Sequence, residues 1–144
     1  MSVRGSLFAL CLVLGLGSTW AKDNVLGTEL EICSIDPMTG WHRGGYCRTD
    51  DNDFGTHTMC SVMTAEFLEY TKAQGNDLSN PAPQYNFPGL KPGDKWCICA
   101  LRWREAFKAG KAPKVVLESS DEKTLQYNTL DEIQSNNAAK TSGP

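Results

Sequence analysis

The chain has 144 residues, a formal net charge of −3, and 22% charged against 40% apolar residues. No basic cluster stands out, which argues against nucleic acid or an anionic membrane surface as a partner. The length suits one domain with one core, roughly two-thirds of whose unfolded surface would be buried.

Residues 1–21 read as a secretory signal peptide. Arg4 is its positive n-region, Leu7 to Gly17 its apolar run, and Thr19-Trp20-Ala21 precedes the expected cut. The run is shorter than the roughly 20 residues that span a bilayer, so no membrane attachment is expected after signal removal. An uncleaved anchor and, because the run-up holds no acid, an organelle (plastid) presequence are the other readings. The secretory pathway or the exterior is therefore the expected address, with the plastid as the alternative. Cleavage would remove Cys11 and leave Cys33, Cys47, Cys60, Cys97 and Cys99. An odd number allows at most two disulfides and one remaining thiol.

In chain order, Leu26 to Cys33 alternates as a strand, with Leu30 and Ile32 on one face and Cys33 on the other. Asp36-Pro37-Met38-Thr39-Gly40 has turn chemistry. Trp41 to Phe54 is polar and Gly-rich, an ordered loop or hairpin anchored by Trp41 and Tyr46. Its run Asp50-Asp51-Asn52-Asp53 lacks the offsets of a calcium loop and reads as a solvated turn. Gly55 to Cys60 reads as a second strand. Thr64 then caps a helix with Glu66 in its first turn and Phe67, Leu68 and Tyr70 on its apolar side, ended by Gly75.

Residues 76–94 have no periodicity at all, and a loop this long in a compact domain is usually functional or disordered. Tyr85, Phe87 and Leu90 supply anchors, so an ordered covering loop is expected. It leads into Trp96-Cys97-Ile98-Cys99-Ala100-Leu101-Arg102-Trp103-Arg104, whose first half reads as a buried central strand. Arg102 to Lys108 fits a short helix with Trp103 and Phe107 at i, i+4 and Gly110 as its stop. Val115-Val116-Leu117 reads as a strand, and Asp121 to Tyr127 and Thr129 to Ile133 as short helical segments. Residues 22–135 then form one α+β domain with a short mixed sheet and a few helices, and 136–144 a disordered tail.

In a strand Cys97 and Cys99 project to one face with parallel Cβ vectors, so they should not bridge each other. Three readings of the five cysteines stay open: buried reduced thiols; one or two bridges among Cys33, Cys47, Cys60 and the Cys97/Cys99 pair; or a zinc or other metal site, or a reactive thiol, with His57 or His42. A His57–Cys60 dyad is not favoured, because alternation puts the two on opposite faces. His57 in a Thr-rich stretch reads first as a hydrogen-bonded structural residue. No serine-hydrolase elbow, phosphate loop or zinc-protease helix is present.

Several motifs also recur together in one family. They include Asn24-Val25-Leu26-Gly27, Gly45-x-Cys47-Arg48-Thr49, Asp53-Phe54-Gly55-Thr56-His57-Thr58-x-Cys60, Asn86-Phe87-Pro88-Gly89-Leu90-Lys91-Pro92-Gly93-Asp94 and Trp96-Cys97-x-Cys99-Ala100. Over about residues 24–133 the chain resembles domain-of-unknown-function family 2237, small bacterial and algal proteins. The resemblance implies a single α+β domain with no assigned activity. It further implies that many relatives are cytosolic, which favours buried thiols or a thiol or metal site over disulfides. The resemblance also implies one departure: the family's pattern has a His where this chain has Asp121.

These readings together predict a binding or structural role around Cys97/Cys99 and the 76–94 loop, with an unidentified small molecule or protein as partner. The alternative is a thiol- or metal-dependent enzyme. Binding candidates are His57, Asp77, Trp96 and Arg102; thiol or metal candidates are Cys33, Cys47, Cys60, Cys97 and Cys99.

Overall fold

A computed structural model describes residues 23–139; the signal-peptide expectation for 1–21 and the last part of the expected tail lie outside them. The elements run β1 (Met59–Val62), α1 (Ala65–Ala73), β2 (Lys95–Ile98), α2 (Ala100–Lys108), β3 (Lys114–Val115) and α3 (Leu130–Ser135). Short 3-10 turns occupy Pro83–Tyr85, Leu117–Ser119 and Glu122–Gln126. The strands form one antiparallel sheet in the order β2-β1-β3. The domain is α+β, as the intermixed short elements predict.

The register separates two faces. Met59 pairs with Ile98, and Ser61 with Trp96 and Val115, so these share one side. That side packs on Phe67 and Leu68 of α1, Trp103 and Ala106 of α2, and Ile133 of α3 to make the main core. Cys60 pairs with Cys97 on the other side, where Cys33 and Cys47 complete a second, smaller cluster with Val116 against it.

The middle strand is β1, not the 96–99 segment. Edge strand β2 reads as central because its outer edge is covered: the Cys97 N–H donates to Thr39 Oγ1 at 2.9 Å. The expected strand at Gly55–Cys60 begins only at Met59, since Thr56 adopts φ 49° and its carbonyl accepts from Ala100 N. No strand forms over 26–33. There the buried Asn24 side chain takes the backbone groups, accepting from Leu26 N and Thr28 N and donating to Glu29 O and Glu118 O. Leu30 is buried while Ile32 is 49% exposed, so the alternation does not describe this segment.

Helix α1 forms as its signals predict: Thr64 Oγ1 accepts from Phe67 N, and Gly75 follows the C-cap at φ 90°. In α2, Trp103 and Phe107 stack at 5.0 Å between centroids, and Gly110 past the C-cap takes φ 73°. Thr129 caps α3. The start of the expected tail is hydrogen-bonded instead: Val115 N donates to Asn136 O and Ala138 N to Val115 O. Loop 76–94 is tied down by Leu90 N to Leu78 O and Ala82 N to Phe87 O. Leu90 is buried and Phe87 half-buried, but Tyr85 is 71% exposed and does not anchor the loop.

The cysteines resolve to two disulfides, Cys33–Cys60 and Cys47–Cys97, with Cys99 free. This overturns the reduced state that the resemblance implies and removes four of the five from the thiol and metal readings in this oxidised form. Cys33 does not stand apart from the apolar interior but is buried in the second cluster.

Candidate functional site

The outer edge of β2 is where the polar chemistry gathers. A cavity of about 470 Å³ opens there between the 40–43 turn, His57 and the 76–87 part of the long loop. Its walls include Trp41, Arg43, His57, Asp77, Tyr85 and Trp96. A broader, shallower groove of about 990 Å³ lies alongside, between Asp36–Met38 and the 79–94 segment. Its Lys91 and Asp94 pair with each other at 2.9 Å, and it offers no histidine or thiol.

His57 is set by a short turn. Thr56 N donates to Asp53 O, which folds 53–57 back on itself. Gly55 is required within it, since a Cβ there would lie 2.6 Å from His57 Cε1. The turn lays the imidazole against Asp53, whose side chain is fully buried: Nδ1 meets Oδ1 at 2.6 Å and the His57 N–H donates to Oδ2 at 2.8 Å. Thr49 Oγ1 donates to the same Oδ2 at 2.9 Å. Burial works against the Asp53 charge, but the bonds from the His57 backbone, the His57 ring and Thr49 outweigh it and hold its carboxyl below the usual value. An ionised Asp53 accepts only, so Nδ1 carries the proton and donates it to Oδ1. Trp41 stacks over this ring at 5.8 Å and 12°.

Arg43 takes φ 55° and spans the cavity's upper wall. It donates to Gly40 O at 2.6 Å, Tyr85 O at 2.8 Å and Asn86 O at 3.4 Å, and its guanidinium lies 4.9 Å above the Trp96 ring. These bonds staple the 40–46 turn to the long loop. Gly40 beneath it has φ 101°, and a Cβ there would run into Tyr46 O.

Of the sequence candidates, His57, Asp77, Trp96 and Cys97 line this one cavity. Asp77 is exposed at its rim and accepts from Asn80 Nδ2, Ser79 N and Asn80 N, bonds that lower its pKa, the Asn80 side chain most. Cys99 joins His57 in lining a smaller recess of about 50 Å³ beside it, and stands at the N-cap of α2. Arg102 lies elsewhere, donating to Gln74 O at 3.2 Å and to Glu105 Oε1 at 3.3 Å. His42 meets Asp50 at 3.3 Å, in the open. Cys33, Cys47 and Cys60 belong to the disulfide cluster behind β1 and β2. Asp121 is the buried N-cap of the Glu122–Gln126 turn.

Asp53 and Arg43 are the residues that sequence reasoning misses. The acidic run around Asp53 reads as solvated, and an Asp four residues before a His signals proximity only on a helix. Nothing in the pattern around Arg43 tells a loop strut from an ordinary surface cation.

A family model described as "Uncharacterized protein conserved in bacteria (DUF2237)" matches residues 23–137. No curated protein matches the chain.

Proposed function

Because the chain belongs to this family, whose description names no activity, we propose from the geometry that the domain is a binding module for a small, planar molecule bearing hydrogen-bond donors, such as a heteroaromatic amine. The carrying observation is the Trp41–His57–Asp53 stack on the cavity wall. Trp41, 41% exposed, and Tyr85 present ring faces on which a flat ligand can lie. The Nε2 lone pair of His57 accepts from the ligand, and Asp77 puts a carboxylate at the mouth, which favours a donor-bearing or cationic edge. Arg43 commits three of its five N–H donors to carbonyls, so its first role is to shape the cavity. A volume of about 470 Å³ is in the range of small-molecule sites.

The two disulfides support action in an oxidising compartment, reached through residues 1–21 and hence the secretory pathway. No helix among the described residues is long and apolar enough to cross a membrane.

Tryptophan emission and melting temperature, followed across a panel of heteroaromatic amines, test the binding reading. We expect at least one compound to shift both, and His57→Phe, which loses the Nε2 acceptor together with the bond that sets the ring on Asp53, to weaken it about tenfold. A panel with no effect, or binding indifferent to both Trp41→Ala and His57→Phe, contradicts it.

A second reading, a thiol-dependent enzyme, has one observation in its favour: free Cys99 at a helix N-terminus shares a recess with the Asp53-held His57. It requires fast alkylation of Cys99 at neutral pH that slows in His57→Phe. A Cys99 that reacts no faster than a free thiol removes it.

A further inference from the structure

The second cluster is more than two staples that happen to be neighbours. Cys33, Cys47 and Cys97 contribute sulfur atoms that all lie within 4.8 Å of one another, although they belong to different disulfides, and Cys60 is bonded to the first of them. The four residues are buried together. Zinc in a tetrathiolate site binds each sulfur at about 2.3 Å, which sets the sulfurs roughly 3.8 Å apart around the ion. Three of the cluster's four sulfurs are thus already gathered near the scale that a metal needs, and the fourth, that of Cys60, is held next to them by its bond to Cys33.

Those positions do not depend on the S–S bonds alone. Cys60 and Cys97 are paired across β1 and β2. The Cys60 N–H donates to Ser120 Oγ and its carbonyl accepts from Val116 N, while the Cys97 N–H donates to Thr39 Oγ1. On the opposite arm, Cys33 N donates to Gly45 O at 2.8 Å, and Gly45 N to Thr39 O at 2.9 Å, fixing the loop that carries Cys33 and leads to Cys47. Three of the four positions, Cys33, Cys60 and Cys97, thus have backbone hydrogen bonds that hold them besides the S–S bonds.

We infer that Cys33, Cys47, Cys60 and Cys97 form a redox-convertible group: two disulfides when oxidised, and a four-thiolate zinc site when reduced. In the reductive step each disulfide takes two electrons and two protons from a dithiol reductant, which leaves as its own disulfide. Four thiols result. One Zn²⁺ then binds the four sulfurs and displaces four protons, closing the same two arms onto the same two strands. The core is stapled in either redox environment, by covalent bonds in one and by metal in the other. Cys99, at the start of α2, is not a ligand. This inference does not need the binding reading above to hold, although the two share Cys97, which also lines the cleft.

The test is cobalt(II) substitution of the full-length mature protein, reduced with a phosphine under anaerobic conditions. We expect one cobalt per chain with the intense visible bands and sulfur-to-metal charge transfer of a tetrahedral thiolate site, displaced by one equivalent of zinc. Cys99→Ser should keep the spectrum. Cys47→Ser and Cys60→Ser should each weaken it and shift it to shorter wavelength. Zinc should raise the melting temperature of reduced Cys99→Ser protein, which separates metal binding from a general failure to fold. A reduced protein without the thiolate spectrum, a spectrum that is lost in Cys99→Ser, or a melting temperature indifferent to zinc overturns the inference.

Discussion

At the scale of single residues, the Asp53–His57 pair shows how a turn can build a site that periodicity does not reveal. Asp53 is fully buried and carries three hydrogen bonds, from the His57 ring, the His57 N–H and Thr49. Asp53→Asn should cost about 1–3 kcal/mol at pH 7, measured by urea unfolding, because a buried partner set is left mismatched. The pH dependence has a definite sign. Asp53 titrates lower in the folded chain than in the unfolded one, so its contribution is present above the unfolded value, about 3.9, and is lost as pH falls through the lower folded value. The stability gap between wild type and Asp53→Asn should accordingly close as pH falls below about 4. A gap that persists unchanged at the lowest pH at which the protein stays folded would show that the Asp53 charge plays no part. Gly55 makes a companion case. Gly55→Ala should push the imidazole off Asp53 and lower affinity at the cleft, read by the same ligand titration.

At the scale of elements, local chemistry and hydrophobic pattern were legible where the element depends on its own residues. The Thr64 cap and Gly75 stop delimit α1 because both act within one turn of the helix. Thr64→Ala should cost about 1 kcal/mol, checked by denaturant midpoint at unchanged m-value. The pattern misled where partners distant in sequence decide. Residues 26–33 alternate, yet Asn24 reaching Glu118 O and Ser119 Oγ donating to Ile32 O dictate their path instead. Segment 95–98 looks central because a turn covers its edge, and that turn depends on Gly40 at φ 101°. Gly40→Ala should therefore cost several times the loss of a helix cap, about 3 kcal/mol, and should open the cleft as Arg43 loses its seat. Equal stability of Gly40→Ala and wild type in urea would contradict the role given to this turn. The candidate site follows the same division. Trp96 and the 76–94 loop could be singled out from composition and length, while Arg43 and Asp53 gain their roles only from loops that meet in space.

At the scale of the whole molecule, the disulfides join what the sheet alone holds loosely. Their closed loops span sequence separations of 27 and 50 and interleave. Chain entropy assigns each about 4 kcal/mol, the pair somewhat less than the sum because the loops overlap. Against a total stability of about 5–15 kcal/mol for a domain, that is a large share. Metal-free reduced protein, kept in chelator, should melt about 20–30 °C below the oxidised form by calorimetry. Cysteine count allowed two bridges and one spare thiol, but the pairing was not legible. It depends on Cys60 meeting Cys97 across the sheet while two loop arms arrive from 33 and 47. Both the cleft, whose floor includes Cys97, and the sulfur cluster behind it rest on that pairing. The first measurement is therefore a disulfide map: alkylation under denaturing, non-reducing conditions, then proteolysis and mass spectrometry. The account predicts a single alkylated cysteine in the mature chain, Cys99, with Cys33 linked to Cys60 and Cys47 to Cys97. Alkylation of Cys97, or a Cys97–Cys99 link, would contradict it and undo the geometry on which both proposals stand.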